Sequence, residues 1–98
     1  MIEDQLERLS GLGIRLLPAE IQTHYVFERD GFIAMVERTP EGFGSVGSAG
    51  LLTPSGFGAL VWRAARPYFV GKGWEQPATG EQVENLRKFA SDLESALG

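Results

Sequence analysis

The chain has 98 residues, of which 43% are hydrophobic, 13 are acidic and 9 are basic, and it contains no cysteine. This length predicts one domain over residues 1–98 with a modest core, and the lack of cysteine excludes disulfides, thiolate metal sites and a cysteine nucleophile. The net charge of −4 argues against a general nucleic-acid binder, and no apolar run reaches the length of a membrane span, so we expect a cytoplasmic protein.

The first predicted element is a short amphipathic helix over residues 2–10. Its apolar face consists of Ile2, Leu6 and Leu9. Acidic residues in the first turn favour the helix dipole, and a glycine at position 11 or 13 ends the helix. The four residues that follow are ambiguous, and the proline at position 18 ends that segment.

A β-hairpin is predicted next. Residues 21–29 alternate apolar and polar side chains as a strand does, and Asp30-Gly31 is typical of a two-residue hairpin turn. Counting back from this turn gives the cross-strand pairs Phe27–Ala34, Val26–Met35, Tyr25–Val36 and His24–Glu37.

A repeated phrase predicts two further hairpins. Residues 39–44 read Thr-Pro-Glu-Gly-Phe-Gly, and residues 53–58 read Thr-Pro-Ser-Gly-Phe-Gly. Proline followed two positions later by glycine predicts a three-residue turn with a left-handed glycine. Such turns place Thr39 opposite Phe43 and Thr53 opposite Phe57. The middle strand is rich in glycine and serine, which leaves room for large side chains on its neighbours.

Residues 57–70 fit either a helix or a hairpin. Pro67 inside a helix and the β-forming aromatic residues on both sides of it favour a hairpin. We interpret residues 71–78 as a linker. A C-terminal helix follows, with a capping box of Thr79 and Gln82. Its apolar stripe consists of Val83, Leu86, Phe89, Ala90, Leu93 and Leu97.

These elements predict an α+β fold with a short N-terminal helix, a five-stranded antiparallel β-meander and a C-terminal amphipathic helix, both helices on one sheet face. The order of elements resembles helix–meander–helix folds such as the frataxin architecture in topology alone. The resemblance implies no residue role and no activity.

The predicted register divides the sheet into two faces. Face A, which we expect beneath the helices, holds Ile21, Tyr25, Phe27, Phe32, Ala34, Val36, Val46, Leu52, Leu60 and Trp62. Face B holds His24, Val26, Glu28, Ile33, Met35, Glu37, Phe43, Ser45, Ala49, Leu51, Val61 and Arg63. An apolar patch of this extent is typical of an interaction surface. We therefore predict an interaction face consisting of Val26, Ile33, Met35, Val61 and Arg63. In the alternative interpretation, the linker at 71–78 folds over it.

Two features of the sequence bear on ligand binding or catalysis. Residues 42–47 match Gly-x-Gly-x-x-Gly, but they follow a proline turn and enter a strand, whereas the dinucleotide motif enters a helix. His24 opposite Glu37 fits a general base with an orienting carboxylate, or an ordinary cross-strand polar pair, which is far commoner. With Glu28 the pair does not make a distinctive metal site, and no metal or cofactor is predicted.

One segment is locally basic and aromatic, and its candidate binding residues are Arg66, Lys72 and Trp74. Arginine and aromatic side chains are common in binding hot spots. The alternative is a set of core aromatics with basic side chains that extend to solvent.

The sequence thus favours a small non-enzymatic protein-interaction module, of adaptor, chaperone-like or immunity type, with a protein partner or a second copy of itself. The alternative is a ligand-binding or enzymatic domain with a pocket around His24, Glu37 and Arg63. Nucleic-acid binding through Arg63, Arg66 and Lys72 is a third hypothesis, disfavoured by the acidic composition. No catalytic residue is assigned.

Overall fold

The computed structural model describes residues 2–18 and 22–98. One helix precedes and one helix follows the strands in the chain, and the strands form an antiparallel sheet in which they lie in chain order. The elements are α1 (Ile2–Gly11), β1 (Arg15–Leu17), β2 (His24–Arg29), β3 (Phe32–Thr39), β4 (Gly42–Thr53), β5 (Gly56–Arg63), β6 (Arg66–Gly71), β7 (Trp74–Pro77) and α2 (Gly80–Leu97). The α+β class and both terminal helices are as predicted, and neither helix in the described ranges is long and apolar enough to cross a membrane.

The sheet has seven strands, and the predicted five is therefore wrong. The first additional strand is β1, which pairs with β2 through the ambiguous residues before Pro18. The second is β7, which lies in the predicted linker and pairs with β6. Because this segment extends the sheet, the alternative in which it folds over face B is wrong. Both strands have only three or four residues, too few to show a pattern.

Both helices and one side of the sheet form a common core. Its buried members are Leu9, Ile14, Phe27, Phe32, Ala34, Val36, Phe69, Leu86, Phe89, Leu93 and Ala96. The helix α2 begins with the predicted capping box, in which Thr79 accepts from the Gln82 backbone and the Gln82 side chain accepts from the Thr79 backbone. Arg29 links the sheet to α2 through an ion pair with Asp92 at 2.9 Å.

The hairpin of β2 and β3 has the predicted register, from Arg29 opposite Phe32 to His24 opposite Glu37. Asp30 and Gly31 form the turn, both with positive φ. The start of the predicted strand, including Ile21, lies outside the described residues. The hairpin interpretation of residues 57–70 is also confirmed, with Ala64 and Ala65 at positive φ in the turn.

The two Thr-Pro turns are one residue shorter than predicted. Thr39 pairs with Gly42 and Thr53 pairs with Gly56, so the predicted partners Phe43 and Phe57 are wrong. Both glycines have positive φ, as a turn of this type requires.

Two β-bulges change the direction of side chains along β4. Val36 pairs with Val46, but Arg38 pairs with Phe43 and Ala34 pairs with Ala49. Between each of these pairs and the next, β4 advances three residues while β3 advances two. Each extra residue reverses the face to which the following side chains of β4 point. As a result, side chains three residues apart on β4 point to the same side of the sheet.

The shorter first turn, together with the bulges, explains the errors in the predicted faces. Phe43, Ala49 and Leu51 were assigned to face B, but they pack against the core beside the helices. Leu52 was assigned to face A and is exposed. Leu60 packs against the core as predicted, because the two bulges and the two shorter turns each reverse its side, and these reversals cancel.

Trp74 is a core residue whose position depends on two glycines. Its indole ring lies over Gly58 and Gly71, where a methyl group on either would meet the ring. Its Nε1 is buried without a hydrogen-bond partner among the described residues. The predicted position of Trp74 in a linker is therefore wrong.

The close approach of Trp74 to Gly58 gives a testable coupling. A Cβ at Gly58 would lie 2.5 Å from the indole Cη2. We expect Gly58→Ala to destabilise the fold by about 1–3 kcal/mol through overpacking. In a Trp74→Ala background the same change should cost much less, and urea denaturation of the four proteins measures the difference. Equal costs in both backgrounds would contradict this packing.

Glu28 gives a pH-dependent contribution to stability. Arg15 Nε donates to Glu28 Oε1 at 2.7 Å, and this hydrogen bond is the main cause that lowers the pKa of Glu28 below its ordinary 4.5. The Gly31 N–H also donates to the carboxylate, at 3.1 Å, while burial opposes both effects.

We expect Glu28→Gln to lose stability at neutral pH and to approach the parent protein in acid. A lowered pKa means that the stabilisation is complete above pH 4.5 and is lost as the pH falls below that value. Because Arg15 is solvent exposed, the effect should be at most about 1 kcal/mol. Urea denaturation between pH 3 and 7, with Arg15→Leu as a second variant, provides the measurement. A loss that does not vary with pH would contradict the assignment.

Candidate functional site

The side of the sheet opposite the core carries an apolar surface, here called the open face. Its apolar side chains, placed by the strand registers, include Val26, Ile33, Met35, Leu52, Phe57 and Val61. Met35 is 40% exposed and Phe57 is 41% exposed. Both helices in the described ranges pack on the other side. The open face is therefore a side of the sheet that neither of the described helices covers, and its members only partly match those of the predicted face B.

A pocket of about 410 Å³ lies on the open face. Its apolar lining residues are Ile33, Ala34, Met35 and Phe57. Its polar lining side chains are His24, Glu37, Ser45 and Ser48. The volume falls in the range of ligand pockets, and a mainly apolar wall with few polar groups is typical of binding sites.

The lack of a side chain at Gly50 leaves room for the Phe57 ring, which lines the pocket. Gly50 pairs with Ile33 on β3, and the Phe57 ring lies directly over it. A Cβ on Gly50 would lie 2.5 Å from Phe57 Cζ. The small residues of β4 thus accommodate a large side chain of the neighbouring strand, as the sequence predicted. The particular side chain was not predicted, because the register of β5 was one residue off.

His24 and Glu37 are cross-strand neighbours at the pocket, as predicted. His24 Nδ1 lies 2.8 Å from Thr23 Oγ1, and the Glu37 side chain packs against Gly44 on β4. These contacts place an imidazole and a carboxylate at the same pocket.

Arg63 does not join them. Arg63 forms an ion pair with Glu75 and lies 5.9 Å from the centre of the Tyr68 ring. It does not line the pocket that His24 and Glu37 share. The predicted constellation of these three residues is therefore not assembled.

The other members of the predicted interaction face occupy different environments. Val26 and Ile33 are buried, Val61 is half-buried, and Met35 and Arg63 are exposed. Val26 and Ile33 do not belong to the core cluster beneath the helices. Only Met35 combines an apolar side chain, exposure and a position in the pocket wall.

The basic aromatic segment is not one surface. Arg66 begins β6 and Lys72 follows its end, so the two lie roughly 20 Å apart along the strand. Trp74 packs against the core on the helix side of the sheet. These three residues therefore do not converge on one ligand.

Among the described residues, neither the acidic side chains nor the glycine-rich stretch is arranged to bind a metal ion or a nucleotide. Glu28 is already bonded to Arg15 and to the Gly31 N–H. Within residues 2–18 and 22–98, no group of three or more histidine, aspartate or glutamate side chains is arranged to hold a metal ion. The Gly-x-Gly-x-x-Gly stretch lies within β4 and leads into no helix.

Comparisons with protein-family models, with curated proteins and with solved structures found no match to this chain. The functional assignment therefore rests on the geometry of the open face. That geometry offers an apolar cavity with one imidazole, one carboxylate and two hydroxyl groups, which suits the binding of an apolar group with a polar neighbour.

Proposed function

We propose that this chain is a non-enzymatic protein-interaction module, of adaptor, chaperone-like or immunity type, that binds its partner through the open face in the cytoplasm. The observation that supports the proposal is the apolar pocket of about 410 Å³ beside the exposed Met35 and Phe57. Interfaces use central apolar and aromatic side chains that fill pockets, surrounded by polar groups. The absence of cysteine suits a reducing compartment.

The pocket also supports one alternative, the binding of a small apolar ligand. His24 and Glu37 at its wall would orient such a ligand by hydrogen bonds. The enzymatic form of this hypothesis has less support, because Arg63 lies elsewhere and is paired with Glu75.

Site-specific photo-crosslinking tests the proposal. A benzoylphenylalanine residue replaces Met35 or Phe57 on the open face, and Leu16 serves as the control position. Leu16 is 46% exposed and pairs with Phe27, so it points to the other side of the sheet. The variants are irradiated in extract of the native cells and analysed by mass spectrometry.

We expect protein adducts at positions 35 and 57 and few or none at position 16. An adduct of twice the chain mass identifies a second copy as the partner, and any other protein mass identifies a foreign partner. Equal adduct yields at all three positions, or no protein adduct on the open face, would contradict the proposal. A small molecule retained by the purified native protein in native mass spectrometry, and lost in Met35→Glu, would favour the alternative.

A further inference from the structure

An internal gap in the sheet exposes the edge of β4. β4 pairs with β5 only from Gly50 to Thr53, although both strands are longer than this ladder. Residues 43–49 of β4 pair with β3 alone, and residues 60–63 of β5 pair with β6 alone. Strands β4 and β5 therefore separate beyond Gly50, and one side of β4 lacks a neighbouring strand over residues 43–49.

The two bulges account for this separation. Each adds one residue to β4 and increases its bend, and bulges commonly end pairing with a neighbour. Ser45, Gly47 and Ser48, which lie on this stretch, are exposed. Small side chains leave the backbone of this edge accessible. An accessible strand edge is a template for another extended chain.

Pockets lie on both sides of this edge. The pocket on the open face is lined by Ser45, Gly47 and Ser48 of β4. A second pocket of about 220 Å³ lies on the helix side, between β4 at Gly44 and Val46 and the last turns of α2. An added strand directs successive side chains to opposite faces, so it would direct one into each pocket.

The two pockets differ in chemistry. The open-face pocket has an apolar wall, as described above. The helix-side pocket includes Glu94, which makes none of the ion pairs in the described part of the chain, and its lining contains no basic side chain. Together with the net charge of −4, this carboxylate complements a basic side chain.

We infer that the partner of the proposed interaction is an extended protein segment that adds to the open edge of β4. Its apolar side chains enter the open-face pocket, and the alternating basic side chains face Glu94. This inference rests on the proposed function and specifies its ligand. A second copy that used its own β4 does not fit, because β4 contains no basic residue.

A displayed library of random nine-residue peptides tests this inference on the whole chain. We expect selection to enrich peptides in which apolar and basic residues alternate. The probe for the later steps is the synthetic form of the most enriched peptide. Hydrogen exchange should show protection of amides within residues 43–49 when this peptide binds.

Backbone methylation of the peptide distinguishes strand addition from simple pocket filling. N-methylation at alternate positions removes the donors that pair with β4, so it should weaken binding about tenfold, whereas methylation at the intervening positions should have little effect. Glu94→Lys should weaken binding of the peptide. A new selection against this variant should enrich acidic residues in place of basic ones. Glu81→Lys, at an exposed position in the first turn of α2, is the matched control.

The outcomes separate the inference from the proposed function. Failure to select any peptide, or an affinity insensitive to both methylation patterns and to Glu94→Lys, would overturn strand addition. One further outcome is a selected peptide whose affinity responds to neither methylation nor Glu94→Lys but which fails to bind the Met35→Glu variant. In that case the open face remains the binding surface and only strand addition is wrong. If Met35→Glu has no effect although methylation does, β4 receives a strand without the open-face pocket, which contradicts the proposed function and the inferred side-chain placement.

Discussion

Replacement of Phe69 by alanine is expected to lower the free energy of unfolding by about 3–5 kcal/mol. Phe69 lies opposite Leu60 on the helix side of the sheet and is completely buried. Its ring centre lies 6.3 Å from that of Phe32, in the core that both helices cover. The loss combines the transfer free energy of the aromatic ring with the cavity that remains. Urea denaturation followed by circular dichroism provides the measurement.

Trp62 supplies the matched control for this prediction. It lies on the same hairpin and is 51% exposed, with Arg87 of α2 positioned 5.8 Å from the centre of its indole ring. We expect Trp62→Ala to cost about 1 kcal/mol or less, since it loses mainly one exposed cation–π contact. Both residues lie on the helix side of the sheet, so similar losses would contradict the exposed position of Trp62 at the margin of the core.

The second large effect concerns binding. Met35→Glu is expected to weaken the affinity for the partner identified by crosslinking by about 100-fold or more. The reason is that binding would bury an unpaired carboxylate in an apolar pocket. In the free protein the same side chain is 40% exposed, so the new carboxylate remains hydrated. The free energy of unfolding should therefore change by less than about 1 kcal/mol. Isothermal titration calorimetry and urea denaturation measure the two quantities.

Leu52→Glu separates the pocket from the rest of the open face. Leu52 is about as exposed as Met35 and lies on the same side of the sheet, but it does not line the pocket. We expect the affinity of the Leu52→Glu variant for the partner to remain within about threefold of that of the parent protein, as is usual outside a hot spot. Equal losses in Met35→Glu and Leu52→Glu would show that the partner does not use the pocket.

The sequence was most informative where a short turn determines the register. Asp30-Gly31 permits few turn types, so counting outward from it placed His24 opposite Glu37 correctly. The capping box at Thr79 defined the start of α2 for a similar reason, since the pattern is local.

The sequence was least informative along β4. Glycine and serine carry little information about which face a residue occupies, so neither bulge was visible in the pattern. The two Thr-Pro turns contained the expected left-handed glycines, but they close over one residue fewer than predicted. These errors moved Phe43, Ala49 and Leu51 to the wrong side of the sheet.

In the candidate site, the residues of β2 and β3 were predicted and the residue contributed by β5 was not. Ile33, Met35, His24 and Glu37 line the pocket, and all four were singled out from the sequence on the correctly paired hairpin. Phe57 is absent from the predicted site, because the predicted second Thr-Pro turn paired it with Thr53, whereas it pairs with Leu52 and lies over Gly50. Its signal was the run of small residues in β4, which predicted space for a large neighbour without identifying it.

Oxidation of Met35 tests the central claim most directly, namely that the open face is uncovered in the free chain and covered in the complex. The purified protein with Met35 intact is treated with hydrogen peroxide, with and without the partner identified by crosslinking, and sulfoxide formation at Met35 is followed by mass spectrometry. We expect oxidation in the free protein at a rate within about tenfold of a free methionine peptide, and strong protection in the complex. Resistance of Met35 in the free protein, or an unchanged rate in the complex, would contradict the account.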